Sequence, residues 1–342
     1  MNRIHIAGGG IAGLALGCAL RHRDLPVTLH EAGTYPRHRV CGEFMNGVTL
    51  NLLAELGLER LAEKCLPLRK CVWFHDNQPV LHHQLPSPAL GLSRFDLDQY
   101  LADLFQSRGG ELNTGNRVPP DSMKEGWVQA TGRHRQPSSP WLGIKIHARN
   151  FQTDADLEMH LGRKGYVGVS RLPEKAANVC GLFQVDHLPG GADKQERFLE
   201  LIERSGLNLL ARGLRESSLD SISLTGINAF QTGRQKSAHP SALSLGDAAT
   251  IIPPFTGNGM TMALEGAALA ARSLEPFSRK EQRWAEAKAW FDRERQRRFQ
   301  SRLRWASAIH PCFFHPWGRQ ALSFAARNGF LPIHWVLRRL TS

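Results

Sequence analysis

The sequence predicts an α/β protein with three parts: a parallel βαβ sheet, an antiparallel β domain and a helical C-terminus. The chain opens with a short apolar strand, a glycine-rich turn and an apolar helix, which is typical of a parallel sheet. Residues 142–183 alternate polar and apolar side chains in short runs, which is typical of antiparallel strands. Residues 281–305 carry apolar side chains at helical spacing within a basic segment.

The first motif follows the predicted strand Arg3–Ala7 and opens the predicted helix Ile11–Arg21. Its glycines fit the dinucleotide-binding turn of a Rossmann-like fold, where they permit the turn, the approach of a pyrophosphate and close helix packing. Glu31 ends the next predicted strand, at about the spacing of a carboxylate that binds ribose hydroxyls. A plain βαβ unit is the alternative; the clustered glycines argue against a signal peptide. The predicted nucleotide-binding residues are Gly8, Gly10, Ile11, Ala12, Gly13 and Glu31.

A second motif contains the predicted strand Leu243–Ala249, a Pro-Phe-Thr-Gly loop and the predicted helix Thr261–Arg272. It resembles flavoproteins of the p-hydroxybenzoate hydroxylase superfamily, especially the branch of geranylgeranyl-reductase-like dehydrogenases, flavin halogenases and secondary-metabolite monooxygenases. The resemblance covers about residues 1–275 and implies FAD as cofactor. It implies that Asp247, after Gly246, holds the ribityl chain, and that the loop backbone faces the flavin at Gly257, Asn258, Gly259 and Met260. Taken alone, Gly246-Asp247 is equally a capped turn.

Two more segments agree with this resemblance. The segment Ser93–Leu101 resembles a helix start at which the superfamily has an arginine near the cofactor, here Arg94. Alternatively, Ser93 or Asp96 only caps the helix and Arg94 is an ordinary surface charge. The segment Arg39–Glu43 is similar to the Cys-Gly-Glu segment of the reductase branch, which passes the flavin ring. The resemblance therefore adds Arg39, Cys41 and Gly42 to the cofactor site. A free cysteine is otherwise most often a small buried apolar residue.

The chain departs from the superfamily pattern in two places. Hydroxylases carry Asp-Gly where this chain has Thr131-Gly132, so FAD contact is retained but direct reduction by NADPH is in doubt. Between Gly165 and Leu172, Tyr166 is present but the tryptophans of halogenases and prenyl reductases are missing, which argues against halogenation. Cys41 and Tyr166 are the flavin-proximal candidates, and no catalytic acid or base is identified. Tyr166 fits equally well as an aromatic residue facing the sheet core.

The predicted domains follow from these motifs. The FAD-binding domain is discontinuous and comprises residues 1–65, 95–140 and 237–275. The substrate domain comprises residues 66–94 and 141–236 and includes a predicted helix over residues 194–210. Residues 276–342 form a basic helical C-terminal segment. Its last part is predicted as short helices that are broken at Pro311, Pro316, Gly318 and Pro332.

The C-terminal segment carries most of the formal net charge of +12, with contributions from Arg338 and Arg339. It also holds several tryptophans, namely Trp284, Trp290, Trp305, Trp317 and Trp335. This composition favours an anionic membrane surface or an acidic carrier protein as partner. Packing of a tryptophan face against the rest of the chain explains it equally well. Nucleic acid is disfavoured, because the sequence supplies no element that reads a groove.

The six cysteines include no C-x-x-C pair and indicate free thiols in a reducing compartment. No apolar run reaches the about 20 residues that a spanning helix needs. The sequence therefore predicts a cytoplasmic protein, with peripheral membrane association as an option. No metal site is predicted, because the segment 310–315, which has two histidines and a cysteine, is better explained as a packed turn.

The function that follows is FAD-dependent oxidation or reduction of a small, apolar molecule. The leading hypothesis is a monooxygenase that hydroxylates an aromatic, polyketide-like or lipid-like substrate through a flavin hydroperoxide. The alternatives are a reductase or dehydrogenase acting on a carbon–carbon bond and a non-catalytic flavin-binding module. The electron donor, NAD(P)H or another, is left open.

Overall fold

The computed structural model describes residues 1–133, 140–185, 193–228, 232–235, 239–331, 333 and 335. The predicted helix breaker Pro332 and the basic residues Arg338 and Arg339 lie outside the described residues. The helices are α1 (Ile11–Arg21), α2 (Leu50–Leu56), α3 (Leu61–Lys64), α4 (Arg94–Ser107), α5 (Lys194–Arg204), α6 (Asn208–Arg215), α7 (Gly259–Ser278), α8 (Trp284–Ile309) and α9 (Pro316–Arg327). The strands are β1 (Ile4–Ala7), β2 (Val27–His30), β3 (Phe44–Met45), β4 (Leu66–His75), β5 (Gln78–Gly91), β6 (Glu111–Asn113), β7 (Trp127–Gln129), β8 (Trp141–Arg149), β9 (Leu157–Gly162), β10 (Gly165–Arg171), β11 (Ala176–Gln184), β12 (Ser218–Asn228), β13 (Gly233–Arg234), β14 (Leu243–Ser244) and β15 (Thr250–Ile251).

The first layer is a parallel sheet in the order β14-β7-β1-β2-β6. The central strand β1 leads through the glycine turn into α1, which is buried along nearly its whole length and packs against α7. Most side chains of β1 and β2 are buried, as expected for parallel strands covered by helices, although His5 and His30 are only partly buried. The glycine turn therefore lies at the carboxyl end of the central strand, where open α/β sheets bind nucleotides.

The second layer is a large sheet in the order β12-β8-β11-β10-β9-β4-β5-β3. The predicted antiparallel pairing is correct for β8 to β11, but β4 and β9 pair in parallel, so the sheet is mixed. The chain leaves this sheet after β5 to build α4, β6 and β7, and it returns only at β8. A crossover of that length permits parallel pairing. One face of the sheet packs on α5 and α6 through an apolar cluster.

Three predicted helical features differ from the structure. The predicted helix over residues 194–210 is two helices, because Gly206 has a φ of +81° and ends the first. The predicted helix Thr261–Arg272 is longer at both ends, as α7 shows. Gly318 does not break a helix but lies inside α9. A Cβ at Gly318 would lie 2.7 Å from the Cα of Cys312, so glycine is needed there for close packing.

The basic helix α8 packs against α7 as far as its last third. Trp284 and Phe291 are buried in the core of the first layer, and the indole N–H of Trp284 donates to the carbonyl of Ser241. Further along, Arg302 is fully buried and its guanidinium lies 2.8 Å from Oε2 of Glu265 on α7. Part of the tryptophan face and of the positive charge is therefore structural.

Among the described residues, no helix combines the length and the apolar character that a membrane span requires. The same part of the chain contains no group of three His, Cys, Asp or Glu side chains placed to hold a metal ion.

Candidate functional site

The glycine turn after β1 has three glycines with three different surroundings. Gly8 has a φ of +106°, and a Cβ there would collide with the backbone of Ala130. A Cβ on Gly13 would collide with the carbonyl of Gly8, so this glycine lets α1 pack on the turn. A Cβ on Gly10 would point into open space, with the guanidinium of Arg94 as its nearest neighbour at 4.0 Å. Gly10 thus borders a cleft that a ligand can enter.

The N-terminus of α1 opens into this cleft. Gly10 is its N-cap, no side chain of the described residues caps it, and its first turn carries no acidic residue. The predicted contact residues Ile11 and Ala12 form that first turn. Free N–H groups and the positive end of the helix dipole make this position suited to an anion such as a pyrophosphate.

Arg94 lies beside the glycine turn, at the start of α4, and Ser93 caps that helix with its hydroxyl. The guanidinium is buried and makes two hydrogen bonds to Asp98, of 2.8 and 2.7 Å. Burial acts to lower the pKa of Arg94, but Asp98 raises it above the ordinary value. Arg94 is therefore a fixed positive charge at the cleft and not a surface charge. The predicted residue Arg39 is half-buried, 3.4 Å from Oδ2 of Asp98.

Glu31 is engaged by protein donors on both carboxylate oxygens. Oε2 accepts from the N–H of Gly9 at 2.6 Å, and Oε1 accepts from the N–H of Gly33 at 2.8 Å and from Arg37 at 2.6 Å. Although burial acts to raise its pKa, these hydrogen bonds hold the pKa of Glu31 below the ordinary value. Glu31 thus braces the glycine turn, and its contact with ribose hydroxyls stays a prediction.

The Gly246-Asp247 pair lies directly against the start of α1. Gly246 has a φ of +62°, and a Cβ there would lie 2.9 Å from the Cβ of Ala12. Burial acts to raise the pKa of the Asp247 carboxyl, while the charges of Arg133 and Arg94 oppose that rise. Asp247 is nevertheless open to solvent, and it lines a cavity together with Gly246, Gly259 and Met262.

The loop Gly257–Met260 leads into α7 beside the same cleft. Gly257 has a φ of +65°, and a Cβ there would collide with the ring of Phe44. Asn258 is the N-cap of α7, and no described side chain caps the helix or places an acid in its first turn. Asn258 is fully buried, and its Oδ1 accepts no hydrogen bond from the described residues. The start of α7 is therefore a second helix N-terminus with an unpartnered polar atom, and Gly259 lines a cavity together with Gly246 and Asp247.

The segment Cys41–Glu43 lies between the two layers and is held by the large sheet. Asn178 donates from Nδ2 to the carbonyl of Cys41 at 2.9 Å, and Ser170 donates from its hydroxyl to the carbonyl of Gly42 at 2.7 Å. Burial raises the pKa of the Cys41 thiol. Cys41 is therefore a neutral thiol near pH 7 and not a reactive thiolate.

Glu43 joins this segment to β8 through buried charges. Its Oε1 lies 3.0 Å from Nζ of Lys145, and its Oε2 lies 2.6 Å from Nε2 of His147. Oε1 also accepts from the N–H of Arg94 at 3.0 Å. Burial acts to raise the pKa of Glu43, but His147 and Lys145 lower it below the ordinary value.

The sequence analysis missed Lys145 and His147, which lie on one face of β8. The available signal was the alternation of the polar residues Lys145, His147 and Arg149 along a strand that is otherwise apolar. It also missed Arg133, which follows Thr131-Gly132. The charge of Arg133 acts on Asp247, Cys180 and Cys41, so its side chain lies within the same cleft. Thr131 itself is exposed, and Gly132 has a φ of +76° with open space around it.

Tyr166 lies on the face of the large sheet that the C-terminal segment covers. Its ring centroid is 5.8 Å from that of Phe313 and 5.7 Å from that of Phe314, and Phe255 packs on Phe313 at 4.4 Å. The Tyr166 hydroxyl is buried next to the backbone of Phe255. Tyr166 is thus an aromatic residue of an interior cluster.

No protein-family model and no curated protein sequence matches this chain. Solved structures do match over nearly its whole length. A p-nitrophenol 4-monooxygenase, PnpA from Pseudomonas putida, is 14% identical with a TM-score of 0.77, and the match covers 100% of this chain and 99% of that chain. A variant of HpxO from Klebsiella pneumoniae, complexed with FAD, is 14% identical with a TM-score of 0.77 and coverages of 99% and 98%.

A geranylgeranyl bacteriochlorophyll reductase-like protein from Thermoplasma acidophilum is 15% identical with a TM-score of 0.75, and the match covers 99% of this chain and 96% of that chain. The fold predicted from the two glycine motifs is therefore confirmed. This chain has the fold that flavin-dependent monooxygenases share with a reductase-like protein.

Proposed function

We propose that this protein is an FAD-dependent oxidoreductase. The observation that carries the proposal is that α1 and α7 both begin, without a side-chain cap, next to Gly246. A Cβ on Gly246 would touch Ala12 of α1, and Gly246 lines a cavity together with Asp247 and Gly259 of α7. The fixed charge of Arg94 lies beside Gly10, the N-cap of α1. An elongated cofactor with a pyrophosphate at one end and an electron-accepting ring at the other fits this arrangement.

The residues have distinct roles in this proposal. The N–H groups that follow Gly10 bind the pyrophosphate, and Asp247 accepts hydrogen bonds from the ribityl hydroxyls. The N-terminus of α7, from Asn258 to Met260, lies at the pyrimidine edge of the ring, where its dipole stabilises negative charge. Bound FAD would supply electron transfer and, once reduced, reactivity toward dioxygen.

The substrate side of the cleft is apolar. Cys41 is a neutral thiol on a fixed segment, and the aromatic cluster of Tyr166, Phe255, Phe313 and Phe314 keeps water out. We assign the large sheet as the substrate domain, with the buried ring of Tyr166 in its apolar wall. These surroundings favour an aromatic, polyketide-like or lipid-like substrate.

Hydroxylation is our leading assignment, because it requires an apolar, water-poor cleft and no dedicated acid or base. The similarity to a p-nitrophenol 4-monooxygenase supports it at the level of fold. The second candidate is reduction or dehydrogenation of a carbon–carbon bond. The fixed Cys41–Glu43 segment and the replacement of an aspartate by Thr131 favour it.

The test is an anaerobic titration of the FAD-loaded protein with NADPH or NADH, followed by air. A monooxygenase is expected to lose its flavin absorption on reduction, regain it in air, and consume oxygen in proportion to hydroxylated product. A reductase would saturate a carbon–carbon bond without consuming oxygen. Binding of FAD without either activity would indicate a binding module, and failure to bind FAD would contradict the proposal.

The six free cysteines fit a cytoplasmic location.

A further inference from the structure

Helix α9 exposes large aromatic side chains and buries polar ones, although Leu322 and Ala326 also lie on its inner side. Trp317 is 75% exposed and Phe324 is 63% exposed on its outer side, and Phe330, which follows the helix, is 70% exposed. The inner side carries Arg319 and Ser323, which are both buried. Surface helices normally turn their apolar side chains toward the core. The aromatic surface formed by Trp317, Phe324 and Phe330 therefore requires an explanation outside the core.

Hydrogen bonds fix α9 in this orientation. Nη1 of Arg319 donates to the carbonyl of Arg163 at 3.1 Å and to the carbonyl of Phe314 at 2.8 Å. Rotation of the helix to bury its aromatic side chains would break both bonds and expose Ala326, which is buried. Hydrogen bonds from a charged donor are stronger than those between neutral groups. The outward position of the aromatic residues is therefore built into the fold.

The chain segment that forms the aromatic surface is basic, although the exposed carboxylate of Asp76 lies near Arg319. The sequence contains no aspartate or glutamate after Glu294, whereas arginines continue to Arg339. Of these, Arg304 on α8 and Arg327 at the end of α9 are exposed, and neither has an acidic partner among the described residues. Basic residues near an anionic membrane are attracted to its surface.

We propose that the aromatic surface binds an anionic phospholipid membrane, with Trp317, Phe324 and Phe330 at the headgroup level. Positive charge alone would fit an acidic protein or a nucleic acid as well as a membrane. Outward tryptophan and phenylalanine next to arginine fit the boundary between headgroups and acyl chains, where amphipathic elements lie flat.

If the protein acts on a small molecule as proposed above, the position of the aromatic surface also indicates the class of that substrate. The segment that leads into α9 packs Phe313 and Phe314 against Tyr166 in the apolar wall of the cleft. The membrane-binding element is therefore continuous in the chain with that wall. A substrate that partitions into lipid can pass from the bilayer to the cleft without crossing water, which favours the lipid-like class.

The test is sedimentation of the full-length protein with vesicles of phosphatidylcholine alone or mixed with phosphatidylglycerol. We expect binding to the mixed vesicles, weak binding to phosphatidylcholine, and release by salt. The triple variant W317A/F324A/F330A is expected to bind at least about tenfold more weakly. Its side chains are exposed, so its circular dichroism and melting temperature should match those of the wild type. The control is Ile222→Ala, which removes an 83% exposed apolar side chain far from α9 in sequence and should bind normally.

Two vesicle results would overturn the proposal: no binding to the mixed vesicles, or equal binding by the triple variant and the wild type. A third contradicting result would be a wild type that self-associates without binding vesicles and a triple variant that is monomeric. The last result would make the surface an interface between copies of the chain. Vesicle binding needs neither FAD nor turnover. A protein that binds vesicles but not FAD would therefore contradict the proposed function alone.

Discussion

Oε2 of Glu43 lies 2.6 Å from Nε2 of His147, although Glu43 directly precedes β3 at one edge of the large sheet and His147 lies on β8 near the other edge. Together with Lys145, whose ammonium is fully buried 3.0 Å from Oε1, they form a buried charged contact. This contact fixes the Cys41–Glu43 segment between the layers. We therefore expect it to matter more for stability than the exposed ion pairs of the protein.

Glu43→Gln should destabilise the protein by about 3 kcal/mol or more, because it leaves the charge of Lys145 buried without its partner. Urea unfolding followed by circular dichroism measures this change. The control is Glu200→Gln, which removes the partner of Arg204 in an exposed pair on α5 and should cost less than about 1 kcal/mol. Equal stability of the two variants would show that Glu43 does not hold the layers together.

The stabilisation by Glu43 should depend on pH in one direction. Its folded pKa lies below the ordinary value, so the carboxylate stabilises the fold fully above the unfolded pKa of about 4.3. As the pH falls through the lower folded pKa, that stabilisation is lost. The difference in unfolding free energy between wild type and Glu43→Gln should thus be constant from pH 7 to about 5 and then shrink. A difference that persists unchanged in acid would contradict this assignment.

Cys41 should alkylate more slowly than free cysteine at neutral pH, because burial raises the pKa of its thiol. Iodoacetamide labelling of the protein without FAD, read by peptide mass spectrometry, gives the rate at Cys41 itself. We expect that rate to keep rising above pH 9. A plateau near neutral pH would mean that Cys41 is a thiolate, and its proposed role as an inert residue of the cleft would then be wrong.

Two glycines of the first motif should respond differently to the same substitution. Gly8→Ala should cost at least about 2 kcal/mol, because the new Cβ meets the Ala130 backbone and φ is +106°. Gly10→Ala should cost less than about 1 kcal/mol, because φ at this N-cap is −81° and the Cβ enters open space. Thermal unfolding of both variants measures the contrast, and equal losses would mean that the Gly10 side of the turn is not open.

The sequence predicted the parts of the fold that depend on local pattern. The strand, glycine turn and helix up to Arg21 lie where the pattern placed them, because each step is set by neighbouring residues. The partners of Glu31 could not be predicted in this way, since Arg37 reaches back to it through a loop. The same holds for Glu43 and Lys145, which are about a hundred positions apart in the chain.

The sequence pattern also could not predict which side of α9 faces the core or which strands of the large sheet run parallel. The apolar periodicity of α9 would turn Trp317 and Phe324 inward, but the hydrogen bonds of Arg319 to carbonyls of other segments reverse it. In the large sheet, the pattern gave antiparallel strands but not the parallel pair of β4 and β9, because that pair depends on where the chain returns after the first layer.

The most direct test of the FAD assignment is calorimetric measurement of FAD affinity for the wild type and for Gly10→Ala. The control is Gly226→Ala, because Gly226 lies on β12 and its added Cβ would make only ordinary contacts, the nearest at 3.7 Å. We predict that wild type and Gly226→Ala bind FAD alike. Gly10→Ala, with its fold intact, should bind at least about tenfold more weakly, or by about 1.4 kcal/mol, because its methyl group occupies the pyrophosphate position. Equal affinity of all three proteins, or no binding by the wild type, would contradict the assignment of this cleft to FAD.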